Sequence, residues 1–225
     1  GIHHHYSKMK HAPGFDQTYF DELLMAAGVE ISDEALEAIF NPEMDKKKVV
    51  KSEGMDLVLA SAGNMYDSKM TQAEAEAYYN SIIDKNDTRP ISYGLNSKLV
   101  FGANGVEEEV YKVGGLYGAS LKKVVFNLQQ AAKYAENDQQ AKALGLLVEY
   151  YQTGDLKKWD EYNIAWVQTK EGDVDYINGF VEVYEDPLGK GGSYETVVEI
   201  TDFDASERMK VVADNVQWFE DNSTI

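Results

Sequence analysis

The sequence feature that most constrains the fold is a pair of β-rich runs near the C-terminal end. Residues 174–184 and 194–200 alternate apolar and polar side chains and are rich in valine, isoleucine, tyrosine and phenylalanine, a pattern typical of half-buried strands. The glycine-rich segment 185–192 between them is too long for a two-residue hairpin turn. The two runs are therefore predicted to pair as antiparallel strands joined by an irregular turn.

Most of the remaining chain carries apolar residues at helical spacing. Helices are predicted at residues 15–27, 33–40, 71–83, 118–135, 139–153, 156–167 and 204–220. A second hairpin is predicted over residues 98–113. Residues 1–90 are expected to be mainly helical, although 44–70 show no clear pattern. Helices and a small antiparallel sheet in one chain indicate the α+β class, organised as a single lobe over residues 1–225.

Composition excludes several classes of partner. The 39 acidic and 21 basic side chains give a net charge of −18, which repels phosphate backbones, so nucleic acid is not an expected partner. No apolar run of about 18 residues is present, so no membrane-spanning helix is expected. Cysteine is absent, which excludes disulfides and thiolate metal sites but leaves the cellular compartment open.

The distribution of histidine argues against a metal centre in this chain. All four histidines, His3, His4, His5 and His11, lie within the first eleven residues. Adjacent histidines do not have the i, i+4 spacing with which helical zinc sites place two ligands on one face. We therefore assign no metal ligand and no catalytic residue.

Two short motifs have ordinary structural explanations. Ser120 and Lys123 fit a Ser-x-x-Lys pattern, but the companion motifs of serine β-lactam-recognising enzymes are missing. Ser120 is therefore interpreted as a residue near a helix start and the lysine as exposed. The glycines of segment 114–118 could expose backbone N–H groups to an anion, but a tight turn after a strand is the favoured interpretation.

Carboxylates cluster after the first strand of the C-terminal pair. Glu182, Glu185 and Asp186 could in principle supply an acid/base pair. Sequence proximity alone is weak support for such a pair. A charged strand end on the surface is the favoured interpretation.

Three blocks together resemble the dipeptidyl peptidase III family of zinc exopeptidases. Residues 176–189, with Gly-Phe-Val-Glu-Val-Tyr-Glu-Asp-Pro-Leu-Gly at their end, are similar to the family's strand and turn Gly-Phe-Ile-Glu-x-Tyr-x-Asp-Pro-x-Gly, and a trailing aromatic-Glu follows at 194–195. Residues 115–156 resemble its Gly-x-Tyr helix start, Ala-x-x-Tyr-Ala segment and Thr-Gly-Asp closure. Residues 1–11 are similar to its cleft-opening segment, in a form typical of bacterial members.

The resemblance implies a two-lobed peptidase that releases dipeptides from peptide N-termini. It implies that helices in this lobe pack around a small antiparallel sheet or partial five-stranded β-barrel, and that zinc is bound in a separate helical lobe by His-Glu-x-x-x-His and a further glutamate. Neither zinc motif occurs here, so the metal segment is expected downstream of residue 225, with further family sequence before residue 1. Cytoplasmic localisation is favoured by the family.

The same resemblance assigns two site residues and two partners. It implies that Tyr117 lies near the scissile bond and that Tyr6 borders the pocket for the N-terminal part of the substrate. The expected partners are a peptide and the zinc lobe of the same protein. Zinc is expected in the full-length protein and no cofactor in this chain, which alone should be inactive because the metal activates the attacking water. The alternative is a stand-alone, non-catalytic peptide-binding module.

Overall fold

Helices dominate the chain, and two β-hairpins interrupt them. The structure is a computed structural model that describes residues 13–41 and 48–224. The first half contains α1 (Gln17–Ala27), α2 (Asp33–Phe40), α3 (Leu57–Ala60), α4 (Gln72–Ile82), β1 (Ser97–Gly102) and β2 (Gly105–Val110). The second half contains α5 (Gly118–Ala131), α6 (Asp138–Thr153), α7 (Leu156–Gln168), β3 (Val174–Glu182), β4 (Ser193–Ile200), α8 (Phe203–Asp214) and α9 (Val216–Asp221), with a 3₁₀ turn at Ala132–Tyr134.

Several helix boundaries follow from the capping residues of the sequence. The predicted capping box of α4 is confirmed, because Thr71 accepts a hydrogen bond from the Glu74 N–H while Glu74 accepts one from the Thr71 N–H. The side chain of Asn137 caps α6 at its start. Gly154, with φ 74°, ends α6 in the left-handed conformation that glycine adopts without steric cost.

The larger apolar cluster joins α5, α6, α7 and β3. Tyr150 and Tyr151 of α6 lie at its centre and are fully buried. Trp159 of α7 packs its ring directly on Gly179 of β3, at a distance that leaves no room for a Cβ atom. The absence of a side chain at residue 179 therefore allows α7 to lie close to the hairpin.

A second apolar cluster joins α3, α4 and β1. Its buried members include Tyr66, Met70, Tyr79 and Leu99. The backbone around Tyr66 runs parallel to β1, since the Leu99 N–H donates to the Met65 carbonyl at 3.0 Å and the Asp67 N–H donates to the Leu99 carbonyl at 2.8 Å. This short pairing brings residues 62–67 against the first hairpin.

The predicted α+β class is confirmed, but the expected sheet takes a different form. Strands β1 and β2 form one antiparallel pair and β3 and β4 another, with a bulge between Phe180 and Glu182. Across residues 13–41 and 48–224 there is no closed or five-stranded barrel. The hairpins remain separate sheets: the β3–β4 turn meets the segment before β1 through a bond from the Gly192 N–H to the Leu95 carbonyl at 2.8 Å.

The structure defines one stretch that had no clear sequence pattern and divides one predicted helix. Of the 44–70 stretch, residues 48–70 contain one short helix, α3, and otherwise turns and irregular backbone, with a single bridge from Tyr66 to β1. The single helix predicted at 204–220 is interrupted at Asn215, whose side chain donates to the Val211 carbonyl at 2.7 Å and whose backbone leaves helical geometry. None of the residues of α8 and α9 is buried.

Over the described ranges, no helix is long and apolar enough to cross a membrane.

Candidate functional site

A cavity of about 680 Å³ opens between α5, residues 62–65 and the start of β4. Pockets of this size accommodate small ligands or a few residues of a peptide. Its lining residues are Lys48, Ala62, Gly63, Asn64, Met65, Tyr111, Tyr117, Ser120, Leu121, Val124, Phe180, Glu185, Gly192, Ser193 and Tyr194. The cavity therefore brings together segments that are distant in sequence, from Lys48 to Tyr194.

Tyr117 lines this cavity and has an unusual backbone conformation. It precedes α5 with φ 60° and ψ 13° and is, of the residues the structure describes, the one non-glycine residue with positive φ. Such conformations cost free energy and cluster at functional sites. The ring is 47% exposed, so Tyr117 is not a core tyrosine. Its hydroxyl oxygen lies 3.4 Å from Asn64 Nδ2.

Aromatic rings form one wall of the cavity. Tyr117 contacts Tyr111 edge-on with 5.1 Å between ring centroids, Tyr111 lies 4.9 Å from Phe180, and Phe180 lies 5.5 Å from Tyr194. Burial raises the pKa of Tyr111 above its usual range, so its hydroxyl stays protonated at neutral pH. The wall offers apolar ring faces and the hydroxyl groups of three tyrosines.

The charged groups of the cavity are paired with each other. Lys48 Nζ forms an ion pair with Glu185 Oε1, and the two side chains are 48% and 21% exposed. Because the charges are opposite and adjacent, they largely cancel at the surface of the cavity. Aromatic rings, rather than net charge, therefore dominate this site.

Asp186 is not the surface charge that the sequence suggested. It is fully buried, and its carboxylate accepts hydrogen bonds from the Leu188, Lys190 and Gly191 N–H groups at 3.0, 2.7 and 2.7 Å and from the Tyr66 hydroxyl at 2.9 Å. A buried carboxylate is stable only with such donors. The surface interpretation is therefore wrong for Asp186.

The sequence placed one site residue in this cavity and missed several others. Tyr117 lines it, whereas Tyr6 and the four histidines lie outside the described residues. Ser120 lies near the start of α5, as expected, and also lines the cavity. Sequence reasoning missed Lys48, Asn64 and Tyr111, because none belongs to a local motif that would indicate a site.

The predicted tight turn over residues 114–118 is confirmed. Gly114 has φ 83°, a conformation that side chains rarely adopt. Gly115 lies against the Val110 carbonyl, where a Cβ atom would clash. These glycines let the chain turn sharply from β2 into α5 and so place Tyr117 at the cavity.

The described residues do not fit a zinc site. Within residues 13–41 and 48–224, no group of three or more His, Cys, Asp or Glu side chains is arranged to hold a metal ion. These ranges also contain neither histidine nor cysteine, the nitrogen and sulfur donors that zinc prefers. The polar groups that line the cavity are instead hydroxyls, an amide and one ion pair, beside aromatic rings.

Comparison with known proteins defines the family. The model of peptidase family M49 matches residues 14–219. The chain therefore belongs to peptidase family M49, the dipeptidyl peptidase III family, which confirms the resemblance of the blocks at residues 115–156 and 176–195.

Curated relatives and solved structures agree with this assignment. The chain is 33% identical to dipeptidyl peptidase 3 of Rattus norvegicus over 96 residues, 43% of this chain and 13% of that protein. It is 34% identical to dipeptidyl peptidase 3 of Homo sapiens over 86 residues, 38% of this chain and 12% of that protein. The aligned part thus spans a small fraction of these relatives.

Two solved structures share the fold. The structure of DPP III from Caldithrix abyssi aligns with a TM-score of 0.54 and 18% identity, over 91% of this chain and 39% of that one. Dipeptidyl-peptidase III from Corallococcus sp. strain EGB aligns with a TM-score of 0.52 and 21% identity, over 76% of this chain and 30% of that one.

Proposed function

We propose that this chain is the substrate-binding lobe of a zinc-dependent dipeptidyl peptidase, which releases dipeptides from peptide N-termini. Membership of peptidase family M49 supports the reaction class. One observation carries the assignment of a binding role to this chain: Tyr117 has a positive φ and lies in the wall of the aromatic cavity. Tyr117 and Tyr6 are the proposed substrate-binding residues.

An extended peptide would bind beside the β3–β4 hairpin. Over the described ranges this sheet has only two strands, so each strand keeps one edge without a neighbouring strand. Such an edge can pair with an extended peptide through main-chain hydrogen bonds. The cavity residues Phe180, Ser193 and Tyr194 belong to the same hairpin, so a peptide on this edge would place a side chain against the aromatic wall.

The metal would be held by a second lobe of the same protein, because the described residues do not offer zinc ligands. The chain alone would then bind peptide without hydrolysing it. Exposed apolar residues at helical spacing support a partner of this kind: Met209, Val212 and Val216 of α8 and α9 are 60%, 45% and 55% exposed. Exposed apolar clusters of this kind mark interaction surfaces.

Two titrations of the purified chain test the proposal. Isothermal titration calorimetry with an Ala-Phe-Ala-Leu-Ala peptide should show saturable binding, and zinc titration should show no tight stoichiometric site. Mass spectrometry of the peptide should detect no cleavage. Tight zinc binding or chelator-insensitive hydrolysis by this chain would overturn the division of roles.

The reading frame downstream of codon 225 discriminates between the two candidate functions. A His-Glu-x-x-x-His motif there supports the dipeptidyl peptidase. An encoded protein that lacks this motif but binds the peptide supports the stand-alone binding module instead.

A further inference from the structure

We propose that Tyr66 and Asp186 are positioning residues that hold the two walls of the aromatic cavity at the separation needed to bind a peptide. The inference rests on the proposed function, since it concerns the affinity of the same cavity. Neither residue lines the cavity. Both act through the segments to which they belong.

The two residues belong to opposite walls. Residues 62–65, immediately before Tyr66, supply one wall. The other wall consists of residues that flank Asp186 in the chain: Glu185, Gly192, Ser193 and Tyr194. The Tyr66 hydroxyl donates to Asp186 Oδ2 at 2.9 Å across a sequence separation of 120 residues. This bond therefore joins the walls behind the cavity.

Asp186 also fixes the shape of its own wall. Its carboxylate accepts the Leu188, Lys190 and Gly191 N–H groups, so one side chain orders the turn from β3 to β4. The side chain of Met65 packs on Gly191, where a Cβ atom would clash. The walls thus meet through one hydrogen bond and one close apolar contact.

The Tyr66 side of the bond is equally constrained. Backbone bonds of Met65 and Asp67 to Leu99 anchor Tyr66 on β1, and its ring is 6% exposed in the second apolar cluster. Burial, with Asp186 beside it, raises the pKa of Tyr66 far above its usual range. The hydroxyl therefore remains a donor to Asp186 wherever the protein is folded.

Two substitutions test the pair, and a third provides a matched control. Tyr66→Phe removes the bridging hydroxyl alone, and Asp186→Asn keeps the shape of the side chain. Tyr78→Phe is the control, because the Tyr78 hydroxyl donates to the Glu108 carboxylate at 3.4 Å and neither residue lines the cavity. The readouts are the Kd for the Ala-Phe-Ala-Leu-Ala peptide, the urea midpoint, and hydrogen exchange at the Lys190 and Gly191 amides.

We expect Tyr66→Phe to weaken peptide binding about 5- to 20-fold, less than the full contribution of one hydrogen bond to a charged group, because the pair acts on the peptide only through the two walls. The loss should appear under conditions in which the variant is fully folded. Tyr78→Phe should leave the Kd unchanged even if its urea midpoint falls. Faster exchange at Lys190 and Gly191 is expected in Asp186→Asn.

The outcomes separate this inference from the proposed function. If folded Tyr66→Phe binds the peptide as tightly as the unsubstituted chain, the positioning role is overturned and the binding function stands. If the unsubstituted chain binds no peptide, the proposed function is overturned and the inference with it. Should Asp186→Asn fail to fold, Tyr66→Phe alone decides the question.

Discussion

The hydroxyl of Tyr151 donates to Asn178 Oδ1 at 2.6 Å, which joins the buried centre of α6 to strand β3. Asn178 in turn donates from Nδ2 to the Tyr194 hydroxyl at 3.0 Å. Tyr194 lines the aromatic cavity. A continuous chain of side-chain hydrogen bonds therefore connects the apolar core to the cavity.

Tyr151→Phe is expected to destabilise the protein by about 1 to 3 kcal/mol, because it leaves Asn178 Oδ1 without its buried donor. Urea unfolding followed by circular dichroism measures the change. Tyr134→Phe serves as control, since Tyr134 is 84% exposed and its hydroxyl is available to water. Equal midpoints for the two variants would show that the Tyr151 bond adds no stability.

Tyr117→Phe is expected to weaken binding of the Ala-Phe-Ala-Leu-Ala peptide about fivefold, the effect of one hydrogen bond worth about 1 kcal/mol. The ring and its contact with Tyr111 remain, so the free energy of unfolding should change by less than about 0.5 kcal/mol. Calorimetry measures the affinity. Tyr19→Phe on α1 is the control. If the two variants have equal Kd values, the Tyr117 hydroxyl does not contribute to peptide binding.

Gly179→Ala is expected to destabilise the protein by about 1 to 3 kcal/mol, because the new methyl group overlaps the Trp159 ring. Gly145→Ala on α6 is the matched control. A Cβ atom there meets nothing within 4 Å, so this change should stabilise the helix by about 0.5 to 1 kcal/mol. The Tm should fall in Gly179→Ala and rise in Gly145→Ala. A Tm that rises in both variants would contradict the close packing of α7 on β3.

Glu136→Gln is expected to reduce the dependence of stability on pH in acid. Hydrogen bonds from the Asp173 and Val174 N–H groups lower the pKa of Glu136 below its ordinary value of 4.5. A lowered folded-state pKa adds stability that is fully present above about pH 4.5 and is lost as the pH falls through the folded-state value.

Urea midpoints measured from pH 7 to pH 3 test the role of Glu136. The variant should be less stable at pH 7 and should lose less stability on acidification than the unsubstituted chain. Glu22→Gln, at an exposed glutamate of α1, is the comparison. Parallel pH profiles for the unsubstituted chain and Glu136→Gln would show that the lowered pKa of Glu136 does not contribute to stability.

The sequence predicts those parts of the fold that depend on neighbouring residues. The capping box at Thr71 and Glu74 defines the start of α4, and alternation identifies β3 and β4. The division of residues 204–220 at Asn215 does not follow from the sequence, because apolar periodicity continues through the break, which is seen only in the backbone of Asn215 with φ −112° and ψ 12°.

The candidate site could be predicted only in part, since its geometry depends on distant contacts. Tyr117 was identified through a family motif, but its positive φ depends on the tight turn before α5. The buried carboxylate of Asp186 accepts a hydrogen bond from Tyr66, 120 residues earlier in the chain. No local pattern around Asp186 distinguishes a surface carboxylate from one that organises a turn.

The exposure of α8 and α9 has a consequence for proteolysis. Neither helix contributes to either apolar cluster, and both Arg208 and Lys210 of α8 are exposed. Trypsin should therefore cut there and release the residues that follow as small peptides. The trimmed product should still unfold in a single cooperative step, because every ring of the aromatic wall precedes the cut.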